Sequence, residues 1–199
     1  MRIEFCLPVA HLDLSPLHRA AVLTLRHLVE TGPIGLTPNY ALKRYFVTWS
    51  AEAFDWPGYR TEDLYAVNKV LNEHDFPPLY ALHDLLLAGK FVRRRKGFLH
   101  ITKLGKDLLA HPGSLWLALT QHMLTTTTEV DWLSILAAIN IAASVTDRDF
   151  GGDPVLVYVH VLRPLAWLGL LQEEARVFTK SPLWGAALSF EAGTPITRH

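Results

Sequence analysis

A mainly helical fold with small β-hairpins, laid out as two similar units in tandem, is what the sequence predicts, and three observations carry that prediction. Residues 90–106 read KFVRRRKGFLHITKLGK, which places seven of the chain's nineteen Lys and Arg in seventeen positions without one acid. This basic stretch lies between an apolar helical pattern and the start of a further helix. About eighty residues later a Leu-rich segment again ends in Gly and leads through a short polar stretch to a Thr-Lys pair, the spacing expected of a duplication.

The first helix begins at Ser15-Pro16, a capping hydroxyl followed by a proline suited to the first turn. Leu17, Val22, Leu25, Leu28 and Val29 continue at helical spacing until Gly32. Residues 33–37, Pro-Ile-Gly-Leu-Thr, are too short and glycine-rich for another helix and read as an extended segment. A second helix is expected over 39–53, broken by Asp55-Trp56-Pro57-Gly58, and a third from Thr61 to about Glu73, its early Glu62 and Asp63 favouring the positive helix end. Residues 77–89 are periodic in Leu79, Leu82, Leu85 and Leu86 and stop at Gly89, a favourable residue just past a helix end. Two strands, 91–94 and 98–101, turn at Lys96-Gly97, and Thr102 caps a helix through Leu104, Leu108 and Leu109.

Beyond Pro112, residues 114–124 and 131–144 read as apolar helices separated by a threonine run, and Gly151-Gly152-Asp153-Pro154 starts a third that ends at Gly169. The segment 86–92, LLAGKFV, aligns with 166–172, AWLGLLQ, and Thr102-Lys103 with Thr179-Lys180. The division expected is 1–112, with the basic hairpin, and 113–199, a degenerate second unit used for packing or dimerisation. Its helix over 154–168 is apolar nearly all round, broken chiefly by Tyr158, His160 and Arg163, and needs burial on more than one side. Intrachain packing or a homodimer partner would supply it. Trp132, Trp167 and Trp184 read as core or interface residues before they read as a ligand cage.

Half of the 199 residues are apolar, ample for a packed core, and the formal charge is zero, so the +7 stretch must be balanced by −7 elsewhere. Cys6 is the single cysteine. It excludes an intrachain disulfide and a Cys-rich zinc site, suits a reducing cytoplasmic setting, and reads as a small buried residue of a short strand. The first fourteen residues carry Glu4, His11 and Asp13 and lack a basic region leading into an apolar run, so no signal peptide is expected. No stretch reaches the roughly eighteen uninterrupted apolar residues of a membrane span.

Residues 82–109, LHDLLLAGKFVRRRKGFLHITKLGKDLL, resemble bacterial winged-helix regulators of the MarR kind. In these a helix ending in Leu-x-x-x-Gly-Leu leads into a basic hairpin and then Leu-Thr-x-x-Gly. The matching residues cover under thirty positions. The wider span 32–112 also looks like bacterial winged-helix (winged helix-turn-helix) domains. The resemblance implies a winged-helix fold for the first unit, which the internal repeat extends to two winged-helix-like units in tandem, and double-stranded DNA as partner, with transcription regulation as the role. One departure stands out: the helix before the hairpin, which carries polar base-reading residues in the regulators, is broken here only by Tyr80, His83 and Asp84.

The nucleic-acid contacts expected are therefore Arg93, Arg94, Arg95 and Lys96 on the hairpin, with Lys90, Lys103 and Lys106 beside it, each phosphate contact releasing a counterion. Such contacts position a protein without reading sequence. Tyr80 and His83 are the candidates for groove contact, although neither offers the bidentate pattern that base edges reward, and both also suit a domain junction. Asn68 and Lys69 are further backbone candidates that a solvated helix face explains equally well. The competing explanation of the charge is protection of an exposed sheet edge, or ion pairs to an acidic second half. A protein-interaction adaptor on the same scaffold is the rival function.

No cofactor, metal or catalytic site is predicted. Ten histidines include no His-Glu-x-x-His, and His11, His18 and His27 are seven and nine apart rather than four. A Gly-x-Ser-x-Gly elbow, a phosphate-cradling Gly-rich loop and a Cys-His pair at recognisable positions are also absent from the sequence.

Overall fold

Local sequence signals set most of the elements. In the computed structural model, which describes residues 2–125 and 130–191, Ser15 caps helix α1 (Pro16–Glu30), its Oγ accepting from the His18 N–H at 3.1 Å. Strand β2 (Ile34–Gly35) follows the short strand β1 (Arg2–Phe5) in chain order. Then come α2 (Arg44–Phe54), α3 (Thr61–Val67), a 3-10 turn at Glu73–Asp75, and α4 (Pro77–Ala88). Strands β3 (Val92–Arg95) and β4 (Phe98–Ile101) form the expected hairpin, and Thr102 caps α5 (Lys103–Leu109) by accepting from the Gly105 N–H.

The second half holds α6 (Pro112–Thr125), α7 (Trp132–Ile141), β5 (Ser144–Val145), α8 (Pro154–Val157), a π-helical stretch Tyr158–Leu162, and α9 (Arg163–Trp167). It ends with β6 (Leu171–Glu174), β7 (Val177–Lys180), α10 (Pro182–Ala187) and β8 (Leu188–Glu191). Most of the threonine run, 126–128, lies outside the described residues. The molecule is mainly α-helical with small antiparallel sheets. Strand β8 pairs with β1, so two elements from opposite ends of the described chain form one two-stranded sheet.

The other two sheets have the same design. Each has three strands in the order first, third, second: β2-β4-β3 and β5-β7-β6. In the first hairpin Val92 pairs with Ile101 and Arg95 with Phe98; in the second Leu171 pairs with Lys180 and Glu174 with Val177. The common offset is 79 residues. At this offset the Phe91 N–H bonds to the Leu86 carbonyl as Leu170 does to Leu165, and the Thr102 N–H to Phe91 as Ser181 does to Leu170. Both hydroxyls also reach back, Thr102 Oγ to the Lys90 carbonyl and Ser181 Oγ to that of Gly169.

This register corrects the pairing expected from sequence. Gly169 corresponds to Lys90, not to Gly89, and Thr102 to Ser181, not to Thr179. Both Lys90 (φ 57°) and Gly169 (φ 78°) are left-handed residues just past their helices. Gly89 keeps a helical φ of −72° and is small for another reason: an added Cβ would collide with the Phe91 ring.

Four further expectations change. The helix over 39–53 starts only at Arg44, because Leu36 and Leu42 bridge and the Leu42 N–H is taken by the Glu73 carboxylate. The helix from Thr61 ends at Val67, with Asn68 folding its side-chain amide onto the Leu64 carbonyl at 3.0 Å. The helix over 131–144 stops at Ile141, since Ser144 and Val145 pair with β7. Cys6 is exposed, lying just past β1.

A single apolar core joins the two halves. It runs from Leu17, Phe46 and Phe76 through Trp116 to Leu165 and Phe178. A polar bond crosses the same boundary, from Ser15 Oγ to the Trp167 carbonyl (3.2 Å), and within the second half Trp116 Nε1 donates to the Leu168 carbonyl at 2.9 Å. Among the described residues no helix is long and apolar enough to cross a membrane.

Candidate nucleic-acid interface

The β3–β4 hairpin is built to expose its charge. Lys96 (φ 50°) and Gly97 (φ 75°) form a two-residue turn with both φ positive, the arrangement that matches strand twist. Val92 and Leu99 are buried and anchor the base, while Arg93, Arg94, Arg95, Lys96 and Phe98 are exposed. The Leu36 N–H bonds to the Gly97 carbonyl at 2.8 Å and ties the turn to the segment following β2.

Alternation divides the arginines between two faces. Arg93 pairs with His100 and Arg95 with Phe98, so these four share one face, on which the Phe98 and His100 rings lie 6.4 Å apart. Arg94 projects to the other face, where its Cζ sits 5.3 Å from the centre of the Tyr40 ring. Tyr40 is placed by a tight turn, with its own φ at 63° and its N–H on the Thr37 carbonyl. Such a stack restrains the arginine and leaves guanidinium edges free to donate.

Lys90, Lys103 and Lys106 are exposed on the flanking segments. Among the described residues none of the seven cations of 90–106 forms an ion pair. Among the described residues of the second half none pairs with them, and the ion pair there joins Arg176 to Asp147 at 3.5 Å. Fourteen of the nineteen basic residues precede Gly113, against eleven of the nineteen acids.

Helix α4 departs from the expected groove-reading role. His83 is 4 % exposed, with Nδ1 2.6 Å from Glu73 Oε1, and cannot reach a ligand outside the core. Its place at a groove is therefore corrected: the ring is buried to meet a carboxylate that also holds the Leu42 N–H. Tyr80 is exposed, as is Asp84, but both line a cleft shared with His160, Arg163 and Trp167 of the second half. Asn68 is spent capping α3. Tyr40, Phe98 and His100 were not singled out from sequence. The legible signal was an aromatic immediately after the Lys-Gly turn; the Tyr40 contact joins residues more than fifty apart and had no local sign.

What these features define is a mainly helical protein with a basic, unpaired hairpin at a sheet edge. Residues 13–114 match the Y4jL N-terminal domain family, and the chain belongs to that family. It is similar to a Sinorhizobium fredii (strain NBRC 101917 / NGR234) protein described as uncharacterized protein y4jL, at 48 % identity over 99 residues. That match covers 50 % of this chain and 45 % of the relative, so the chain spans less than half of its relative's length in alignment. No solved structure matches the chain.

Proposed function

We propose that the chain holds double-stranded DNA by its phosphate backbone through the β3–β4 hairpin, on a winged-helix scaffold used twice. The carrying observation is the set of seven exposed cations on 90–106 with no ion-pair partner among the described residues. Edge protection needs about two or three charges rather than seven, and here Arg93, Arg95 and Phe98 share one face of β3–β4 as a cationic and aromatic platform.

Helix α4 takes no part in base reading on this proposal. Its exposed polar side chains are Tyr80 and Asp84, and neither presents the bidentate donor pattern of Arg, Asn or Gln. The binding is thus sequence-tolerant, and a regulatory role would draw selectivity from the shape of the duplex or from a second copy of the chain. Leu133, Ile141, Val155 and Leu156, all exposed on the second half, are the residues through which two copies would pair. The position of Tyr80 and Asp84 in a cleft favours the rival adaptor reading, in which a protein segment docks there.

Fluorescence anisotropy of a labelled random duplex, read as salt rises from about 50 to about 200 mM, tests the proposal. Affinity should fall by orders of magnitude, with a log-log slope near −0.9 for each phosphate engaged. Replacing Arg93, Arg94 and Arg95 together by Ala should flatten that slope by up to about three. An absence of binding at low salt, or an unchanged slope in the triple variant, would remove the hairpin from any nucleic-acid role and leave the adaptor reading.

A further inference from the structure

Four aromatic rings and two guanidiniums surround one cleft away from the basic hairpin. Trp56 and Tyr59 enter it from the turn after α2, Tyr158, Arg163 and Trp167 from the α8–α9 stretch, and Arg176 from the turn between β6 and β7. The cleft has a volume of about 760 Å³, within the range of pockets that take small ligands. Its walls are ordered by ring packing: Trp56 meets Trp167 edge to face with centroids 5.5 Å apart.

The arginines are held in an unusual way. Arg163 Cζ lies 4.9 Å from the Trp167 ring centre and 6.0 Å from that of Tyr158, and its Nε is buried with no hydrogen-bond partner. Arg176 Cζ lies 4.1 Å from the Tyr158 ring. Arg176 also occupies a left-handed position, φ 68°, at the place where the first hairpin has Gly97. Ala175 before it is left-handed too, at 49°. Side chains with a Cβ are strained in this region, and such strain gathers at functional sites. The π-helical stretch Tyr158–Leu162, a rare element with the same tendency, directly precedes Arg163.

We propose that this cleft binds a mononucleotide: a planar ring stacked on the part-exposed Tyr59 and Tyr158, which the buried Trp56 and Trp167 back, with its phosphate held by Arg163 and Arg176. Guanidinium is the planar fork that matches phosphate oxygens, and an aromatic wall takes any flat base. Gln172 and Glu173, which also line the cleft, offer hydrogen-bonding groups to the edge of the base or to ribose. Burial and the neighbouring Glu173 and Tyr59 raise the Tyr158 phenol above its ordinary value, against a downward pull from Arg176 and Arg163, so it stays a neutral donor. Asp147, 3.5 Å from Arg176, is the group a phosphate would displace. The cleft shares no residue with the basic hairpin, so this inference stands apart from the proposed DNA contact.

Isothermal titration calorimetry of the full chain with AMP, GMP, CMP and UMP, with the four corresponding nucleosides and inorganic phosphate as controls, tests it. At least one nucleotide should bind saturably, and its nucleoside should bind about tenfold or more weaker. Arg176→Gly should weaken binding about tenfold or more without lowering the thermal midpoint, because glycine suits the left-handed turn. Arg163→Lys should weaken it as well, whereas Arg93→Ala should not. Heats indistinguishable from dilution for all four nucleotides at millimolar concentration, or affinities unmoved by both cleft variants, would overturn the proposal. A nucleoside binding as tightly as its nucleotide would also overturn it, by removing the phosphate.

Discussion

Glu73 and His83 form a buried pair, each side chain 3 % exposed, with the carboxylate bridging the imidazole on α4 and the backbone N–H of Leu42 before α2. Three segments of the first half meet at this one carboxylate. Glu73→Ala would leave a buried imidazole and a buried amide unpaired, and should cost about 3–5 kcal/mol by denaturant unfolding. Glu73→Gln keeps an acceptor for Leu42 and should recover part of that. A loss below about 1 kcal/mol for the alanine variant would show that the pair contributes no more than a surface contact.

Stability should fall as pH drops through the histidine range. Burial holds His18 below its ordinary value of 6.5, opposed by the Pro112 carbonyl, and His27 shifts the same way through burial, opposed by Glu30. Below pH 6.5 the unfolded chain therefore takes up protons that the folded chain refuses. Stability from these residues is present above that value and lost as pH falls toward their lower folded values, with a slope of at most about 1.4 kcal/mol per pH unit for each group. His18→Gln should flatten the curve between about pH 5 and 7. An unchanged slope would show that His18 titrates alike in both states.

Two glycines separate backbone strain from close approach. Gly97 (φ 75°) has nothing within 4 Å of an added Cβ, whereas at Gly169 (φ 78°) that atom would lie 2.6 Å from the Leu14 carbonyl oxygen. Gly97→Ala should cost the left-handed penalty alone, roughly 1–2 kcal/mol. Gly169→Ala should cost clearly more, because the chain before α1 must also move. Equal losses in thermal melts would mean that the junction around Leu14 yields freely.

Lys180 closes the end of α7. Its Nζ donates to the carbonyls of Ile139 (3.2 Å), Asn140 (2.6 Å) and Ala142 (2.8 Å), which the helix itself leaves unpaired. Lys180→Met keeps most of the apolar stem and removes these donors. It should destabilise by about 1.5–3 kcal/mol, checked by chemical denaturation, and amide exchange in α7 should quicken. Unaltered exchange there would assign the capping to solvent.

Elements whose causes lie within a few residues were legible in the sequence. The Pro77 start of α4, the Lys96-Gly97 turn and the Thr102 cap each depend on neighbours, and each stands where its pattern put it. The start of α2 was not legible, because the Leu42 N–H has its partner thirty-one positions away. The duplicated hairpin was recognisable from its ordered Gly, strand and cap residues, yet its register slipped because Gly89 is small to admit the Phe91 ring, while the left-handed position falls on Lys90. The basic hairpin could be read from composition. Burial of His83 could not, since Leu-rich periodicity gives no sign that a carboxylate from the preceding turn will fold under the helix.

The β1–β8 pair sets an order of events. Arg2 lies opposite Glu191 and Phe5 opposite Leu188, so this sheet closes a loop of nearly the whole described chain, the costliest kind of closure in entropy. During synthesis β1 is made first and must wait for β8 until α10 has left the ribosome. For that interval its edge is open, beside an exposed Cys6, and is available to a neighbouring nascent copy.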